Sequence, residues 1–323
     1  MNKRNLILAA LATSAGLALS TNALAQTFPD RPIRFVVPFA VGGANDIVGR
    51  IVANRLSQNI KQSVVVENRP GAGGSIGVTS VVRSPADGYA LVLGESGSIS
   101  IAPSLMKKPT YDSVTDLIPV ASLIELPLVI AVHPATRIRN LKDLVAYGTG
   151  KSTPYGSAGI GTVQHLTMER LKRVMKLDMT HVAYRGGAPA MADLMAGQIP
   201  VLPVSASTAK EPAAGNLILP IAALGKNRSS VFPQLPTAAE QGYPALDVTV
   251  WQGVFAPAGT PPAVVEFLAT EIRKVLAAPD IRKSITDQGV DIADMPREDF
   301  ARIVREDSKR WAQVIREGNL TVD

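Results

Sequence analysis

The pattern of apolar residues near the start of the chain predicts a strand, a turn and a helix. Ile33–Val37 has the apolar character of a buried strand, and the Gly42-Gly43 turn follows it. The apolar positions of the next segment share one helical face: Ile47, Val48, Ile51, Val52, Leu56 and Ile60. Asn45 or Asp46 is placed to cap this helix, and Arg50 lies four residues after Asp46 as an ion-pair partner.

A strand that runs through glycines into a helix leaves main-chain N–H groups without intrahelical acceptors. Because Gly42 and Gly43 carry no side chains, a small anion can approach those donors. The motif favours a carboxylate or another small anion held by main-chain amides. A tight turn without a ligand is the alternative, and the motif alone leaves both open.

The same pattern recurs in the middle of the chain, over 155–162, where a short strand enters a Gly/Ser turn. Thr162 is placed to cap the helix that follows, and His165 lies in its first turn. A structural role and a ligand contact are both open for His165. Two such helix starts, facing each other across a cleft, are what a clamshell binder of carboxylates needs.

Further patterns predict the rest of an α/β chain. The predicted strands and helices of the first two thirds include Ser63–Glu67, Ile76–Arg83, Ala90–Gly94, Leu126–His133 and Asn140–Tyr147. The C-terminal third is predicted to be helical, with helices that end near Leu276, Gly289 and Gly318. Because the last helix is expected to return to the first domain, we predict domain 1 at 26–124 plus 247–323 and domain 2 at 125–246.

Residues 1–25 have the features of a signal peptide. Lys3 and Arg4 precede an apolar run over 6–19, and Ala23-Leu24-Ala25 matches the A-x-A cleavage pattern. The apolar run is shorter than the roughly 20 residues of a spanning helix. We therefore expect export to a periplasm, cleavage after Ala25 and a mature chain that is not embedded in a membrane.

Composition and charge narrow the functional classes. The chain is 46% hydrophobic and 19% charged, which fits an ordinary α/β domain protein. Its net charge of +6 comes from scattered basic residues without an aromatic-basic cluster, so nucleic acid is not an expected partner. The chain has no cysteine, and its three histidines lack metal-ligand spacing, so we expect no metal site and no cofactor.

Two short motifs suggest an exported serine hydrolase as an alternative. Residues 73–77 spell G-x-S-x-G around Ser75, but a polar stretch separates this motif from the preceding strand. Ser104 and Ser207 each begin an S-x-x-K pattern, without the companion elements of penicillin-recognising enzymes. We expect Ser75 instead to lie in a glycine loop that contacts a ligand. Tyr184 and Arg185, after a further strand, are also candidates for the cleft.

Several longer segments resemble one known family. These segments are 28–33 (FPDRPI), 37–46 with its Val-Pro and Gly-Gly steps, 67–74 (ENRPGAGG), 84–89 (SPADGY), 159–166, 184–186 (YRG), 235–242, and 251–261. Together they resemble the periplasmic solute receptors of tripartite tricarboxylate transporters, the TctC or Bug family. The resemblance extends over the whole mature chain.

The resemblance implies a fold and a function. It implies a two-domain periplasmic-binding-protein clamshell of type II-like form, each domain a mixed sheet flanked by helices. It also implies a monomeric, non-enzymatic receptor that binds a small carboxylate and delivers it to a membrane transporter. An orphan ligand sensor without a transporter is a further alternative.

The resemblance also implies which residues contact the ligand. The expected contacts of the two loops are Phe39, Ala40, Gly42, Gly43 and Asp46, and Ser157, Gly159, Gly161, Thr162 and His165. The chain departs from the family pattern at Pro200, Pro203 and Val204, where an acidic residue and an aromatic-Asp pair are common. If the missing acid normally meets a ligand amine, an amino-acid ligand is disfavoured here.

Overall fold

We describe the protein from a computed structural model, which covers residues 28–42, 44–293 and 295–321. The predicted signal peptide and Gly43 therefore lie outside the described residues. No helix within these ranges combines the length and the apolar character needed to cross a membrane.

The strands of the described ranges form a sheet in the order β2-β1-β3-β9-β4-β7-β5-β6, and β8 and β10 also pair with β4. β1, β2 and β3 are mutually parallel, as are β5, β6 and β7, whereas β4 and β9 are antiparallel to their neighbours. The strands are β1 (Ile33–Val37), β2 (Val64–Asn68), β3 (Ala90–Glu95), β4 (Leu117–Val132), β5 (Thr153–Ser157), β6 (Met179–Ala183), β7 (Val201–Ser205), β8 (Leu219–Ala223), β9 (Thr249–Pro257) and β10 (Asp291–Ile292).

Helices connect these strands and cover the sheet. They are α1 (Ala44–Ile60), α2 (Ser75–Val82), α3 (Ala102–Leu105), α4 (Leu141–Gly148), α5 (Val163–Met175), α6 (Gly187–Met195), α7 (Ala206–Ala214), α8 (Pro262–Ala277), α9 (Pro279–Thr286) and α10 (Arg297–Gly318). A π-helical turn, Gly97–Ile101, lies between β3 and α3. The predicted α/β class is confirmed.

β4 joins the two halves of the sheet. Its first part, Leu117–Pro127, pairs with β9, and from Leu128 it pairs with β7 and β8. The predicted strand began only at Leu126, and the longer strand contains Pro119 beside a shift in register. Since proline cannot donate to a strand ladder, Pro119 is accommodated at this irregularity.

Each half of the sheet has its own buried cores. Phe35 and Leu91 pack with α1 and α8 on the first half, and Tyr155 and Leu166 pack with α4 on the second. The last helix contacts both halves: Phe300 belongs to a core of the first half, whereas Trp311, Val314 and Ile315 belong to a core of the second. The last helix was expected to pack on the first domain, but only its N-terminal part packs on the first half of the sheet.

Candidate functional site

A cavity of ≈ 980 Å³ lies between the two halves. Three predicted contacts line it: Phe39 from the first loop, and Gly161 and Thr162 from the second. The two strand-turn-helix motifs therefore border the same cavity, although they are more than 100 residues apart in the sequence. Ala40 and Gly42 are exposed, whereas Gly159 is half-buried, and none of the three lines the cavity.

In the first loop, Asp46 turns back onto the turn that precedes its helix. The amide of Gly42 donates to Asp46 Oδ2 at 2.9 Å, and Asn68 Nδ2 donates to Asp46 Oδ1 at 2.8 Å. The predicted ion pair with Arg50 is present at 3.0 Å. Gly42 has φ +83°, a conformation that favours glycine. Through these contacts the Asp46 carboxylate holds the loop in place. The side chain is only 2% exposed and does not line the cavity.

The charge state of Asp46 follows from these contacts. Burial would raise the pKa of the carboxyl, but hydrogen bonds from Arg50, Gly42 and Asn68, with the charge of Arg50, lower it overall. Asp46 is therefore ionised at neutral pH. Because Asp46 accepts the Gly42 N–H, that amide is already occupied and is not open to an anion.

The second loop has the same construction. Thr162 caps α5 as predicted, since its Oγ1 accepts from the amide of His165 at 3.3 Å. The amide of Gly161, whose φ is +77°, donates to His165 Nδ1 at 3.1 Å. Ser157 Oγ donates to the carbonyl of Gly159 and accepts from its amide, both at 3.1 Å. Ser157 and His165 are buried behind the loop and do not line the cavity.

A cluster of polar side chains supports the second loop from behind. The rings of His165 and His181 stack with centroids 3.9 Å apart, and His181 Nε2 lies 2.6 Å from Ser157 Oγ. Burial, together with the charge of the neighbouring imidazole, lowers the pKa of His165 to about 4. Burial likewise lowers the pKa of His181. Both rings are neutral at physiological pH.

Three other predicted contacts lie away from the cavity. Ser75 is 3% exposed and borders a separate groove along α2. Tyr184 donates to Asp193 at 2.6 Å; burial and this contact raise its pKa to about 12. Arg185 is exposed, and the amide of its neighbour Gly186 donates to the carbonyl of Ala158 in the second loop. Val204 packs in a core of the second half, so it is not placed to contact a ligand in the cavity.

The cavity contains polar groups that sequence reasoning missed. The most polar of them are Glu95, Lys107, Lys108, Gln164 and Ser205. Glu95 is the last residue of β3, which is parallel to β1 and adjacent to it. The carboxyl ends of neighbouring parallel strands meet at one edge of a sheet. The position of Glu95 directly after a predicted strand could therefore have indicated that it lies near the first loop.

Apolar side chains form most of the remaining wall. Ile101 and Leu105 come from the segment after β3, Leu126 and Leu128 from β4, and Val250 from β9. β4, which joins the two halves, and its neighbour β9 therefore form part of the cavity. Such a mixture of an apolar wall and a few placed polar groups is typical of small-molecule sites.

The geometry does not support the motifs of a serine hydrolase. Ser75 begins α2 after the 3₁₀ turn Ala72–Gly74, so it is not on a strand-to-helix elbow. The three histidines lie at the end of β4, in α5 and in β6, outside the half that contains Ser75. Lys107 lies beyond the end of α3 and not one helical turn after Ser104.

Among the described residues, no group of three or more acidic, histidine or cysteine side chains is placed to bind a metal ion.

Comparisons with known proteins place these observations in a family. The profile described as "Tripartite tricarboxylate transporter family receptor" (TctC) matches residues 48–320. A UPF0065 protein from the tcbD-tcbE intergenic region of Pseudomonas sp. (strain P51) is 33% identical and aligns with 99% of this chain and 96% of its own length. Protein BugT of Bordetella pertussis is also 33% identical, over 94% of each chain.

Solved structures share the fold. The periplasmic binding protein BugD is 31% identical with a TM-score of 0.72, covering 91% of this chain and 99% of its own. MatC of Rhodopseudomonas palustris with bound malate is 30% identical with a TM-score of 0.73, covering 89% and 100%. An R. palustris protein determined with adipate is 29% identical with a TM-score of 0.75, covering 91% and 99%. The predicted periplasmic-binding-protein fold is therefore confirmed.

Proposed function

This chain belongs to the family of tripartite tricarboxylate transporter receptors, and we propose that it binds a small carboxylate in the cavity between its two loops. The observation that carries the proposal is that both strand-turn-helix motifs border this one cavity. Malate and adipate, which accompany two related structures, are carboxylates. That likeness supports the ligand class and leaves the individual ligand to experiment.

Main-chain amides of the second loop are suitable donors to the carboxylate. Val163 and Gln164 are the first two residues of α5, and both line the cavity. Their N–H groups have no intrahelical acceptor, and the positive end of the helix dipole favours a negative charge there. Lys108 lines the same cavity and adds positive charge. In this proposal, the amides of Gly42 and Gly161 hold the loops and do not contact the ligand.

The apolar wall indicates the rest of the ligand. Leu105, Leu126 and Leu128 offer hydrocarbon surface and no hydrogen-bond partner to a polar body. A densely polar ligand would leave some of its groups unpaired against this wall, which is unfavourable. We propose a carboxylate with a hydrocarbon body.

We further propose that binding closes the two halves around the ligand. The proposed domains, 26–124 with 247–323 and 125–246, are joined by β4, which pairs with β9 in the first half and with β7 and β8 in the second. A ligand that contacts both domains stabilises the closed state. The closed receptor acts in the periplasm, without catalysis, and delivers its ligand to membrane subunits of a tripartite transporter.

A thermal-shift screen tests the ligand class. Residues 26–323 are unfolded and refolded to remove carried-over ligand, then mixed with malate, succinate, citrate, adipate, glutamate, nicotinate and benzoate. A ligand at 100 times its dissociation constant stabilises the folded state by about 2.7 kcal/mol, which corresponds to a shift of a few degrees. We expect at least one carboxylate to stabilise the protein. If the folded protein responds to none, the proposal is wrong.

A further inference from the structure

Glu95 is fixed in position at the edge of the cavity. Its Oε2 accepts from Asn45 Nδ2 at 3.0 Å, and Asn45 Oδ1 in turn accepts from Gln252 Nε2. Gln252 is fully buried and lies opposite Glu95 in the pairing of β3 with β9. This chain of hydrogen bonds runs from β9 through the first turn of α1 to the carboxyl group. The Glu95 carboxyl is therefore a fixed feature beside the first loop.

The hydrogen bonds decide which oxygen faces the ligand. Because Oε2 already accepts from the Asn45 amide, a proton on the carboxyl group belongs on Oε1. A Cβ placed on Gly97 would lie 3.1 Å from Glu95 Oε1, so the glycine leaves this oxygen uncovered. Gly97 and Glu95 both line the cavity. Oε1 is thus the oxygen available to a bound molecule.

The side chain that donates to the Glu95 carboxyl group is the neutral amide of Asn45 and not a cation. On α1, Asp46 and Arg50 pair with each other, and β9 contributes the neutral Gln252. The second loop contributes neutral residues, and the cations that line the cavity are Lys107 and Lys108. Burial raises the pKa of Glu95 to about 7, against a smaller opposing effect of the Asn45 hydrogen bond.

A bound carboxylate would lie in the same cavity as this acid. Two ionised carboxylates that share a site repel, and the usual result is that one of them keeps a proton. Of the described residues lining the cavity, Glu95 is the one with a carboxyl group. A neutral Glu95 would donate a hydrogen bond where an ionised one would repel.

Resting on the proposed carboxylate-binding function, we propose that Glu95 is a specificity-determining residue that binds the ligand in its protonated form. Its Oε1–H donates to an oxygen of the ligand carboxylate, and the proton comes from solvent. Each anion bound by an ionised receptor therefore brings one proton into the site. A ligand whose group near Glu95 is an ammonium requires the ionised form instead, so its affinity should rise with pH.

Isothermal titration calorimetry of the refolded receptor with adipate, malate and the best ligand of the screen tests this proposal. For an acid with a pKa of about 7, the dissociation constant should rise about 25-fold between pH 6.5 and 8.5. Phosphate and Tris differ in ionisation enthalpy, so the difference between the binding enthalpies observed in these two buffers gives the number of protons taken up with the ligand. About 0.5 proton per ligand should be taken up at pH 7, and about 0.9 at pH 8.

Two variants test whether the proton that is taken up on binding is located on Glu95. In Glu95→Gln, the amide oxygen can still accept from Asn45, and the NH₂ group replaces the acid proton as donor. This variant should bind with the low-pH affinity of the wild type, independently of pH, and without proton uptake. Glu125→Gln is the matched control: Glu125 is another acid whose pKa is raised by burial, but it lines a different cavity. Its pH dependence of binding should equal that of the wild type.

The possible failures are distinguishable. Binding by the wild type without pH dependence or proton uptake would overturn the role of Glu95 and leave the receptor function intact. Tighter binding at higher pH, or loss of binding by a folded Glu95→Gln protein, would mean that Glu95 acts as an ionised acceptor. If no carboxylate binds at any pH, the proposed function and this inference are both wrong.

Discussion

The amide of Gly161 donates to Nδ1 of His165, with 3.1 Å between the two nitrogens. Since an amide can only donate, Nδ1 must be the acceptor, and the proton of the neutral ring is on Nε2. Nε2 lies 4.0 Å from Glu169 Oε1. The histidine therefore fixes the second loop through one nitrogen and faces a carboxylate through the other.

The first loop has the equivalent arrangement, with a carboxylate in place of the imidazole. There the amide of Gly42 donates to Asp46 at 2.9 Å, again across four residues. In both loops a side chain of the first helical turn holds the preceding glycine. The amides left for a ligand are those at the helix start itself.

The amide of Val163 can be removed with little change to the helix. Val163 is the first residue of α5, where proline is well tolerated, and Thr162 is already extended at φ −71° and ψ 158°. Val163→Pro removes one hydrogen bond to the charged ligand, and such a bond contributes about 1.5–3 kcal/mol. We therefore expect this variant to bind the carboxylate at least tenfold more weakly. Titration calorimetry measures the change.

Val163→Ala is the matched control, because it shortens the same side chain and keeps the amide. We expect it to bind within about threefold of the wild type, since no donor to the charged ligand is lost. Equal affinities for the two variants, both folded, would show that this amide does not contact the ligand.

His165 should make the free energy of unfolding depend on pH. Its folded pKa of about 4 lies below the ordinary value of 6.5, so between these pH values the unfolded chain binds more protons. Acidification from pH 7 to pH 5 should therefore reduce its contribution to the free energy of unfolding by about 2 kcal/mol. His165→Asn lacks this titration and keeps an acceptor near the Gly161 amide.

Urea unfolding of both proteins at pH 7, 6 and 5 measures this effect. The wild type should lose stability relative to His165→Asn as the pH falls, with most of the change below pH 6.5. A constant difference between the two proteins across this range would contradict a neutral, buried His165.

Asp307 links the last helix to β9. It is 2% exposed, accepts from Trp251 Nε1 at 2.6 Å and pairs with Arg310. Asp307→Ala leaves a buried N–H and a cation without their carboxylate, and should lower the free energy of unfolding by about 3 kcal/mol. Asp299→Ala removes an exposed carboxylate of the same helix and should have almost no effect. Equal losses would contradict this role.

The serine-hydrolase alternative has a direct test. A fluorophosphonate probe that reacts with activated serines should label neither Ser75 nor Ser207. Among the described side chains, neither hydroxyl forms a hydrogen bond with a histidine, and that of Ser207 contacts Ser205 instead. Intact-mass spectrometry after incubation measures labelling. Stoichiometric modification that is lost in Ser75→Ala or Ser207→Ala would establish a nucleophile and favour the enzyme.

Local patterns predicted the elements that frame the cavity. β1 has the predicted bounds Ile33–Val37, Thr162 caps α5, and the last helix ends at Gly318 as expected. These features depend on a few neighbouring residues, so periodicity and capping rules identify them. The extended part of β4 before Leu126 was missed, and its Pro119 argues against a strand there.

The interior of the site depends on contacts that are distant in sequence. Hydrogen bonds from Gln252 to Asn45 and from Asn45 to Glu95 hold the Glu95 carboxyl group at the cavity. These residues are far apart in the sequence, and no local pattern connects them. The π-helical turn Gly97–Ile101 that follows has neither helical nor strand periodicity, so the segment beside the cavity gave no signal. Asp46 and His165 were placed in the correct loops, but their side chains turn back onto the main chain.

The distance between the two loop tips tests the central claim most directly. Val41 and Ile160 are 71% and 59% exposed, and the chain has no cysteine, so a Val41→Cys, Ile160→Cys protein accepts two spin labels at defined positions. We expect pulsed electron-electron double resonance to show a shorter label distance when the carboxylate identified by the thermal-shift screen is added. The untreated, ligand-stripped protein should keep the longer distance. Saturating ligand without any change in the distance distribution would contradict a carboxylate site that the two loops share.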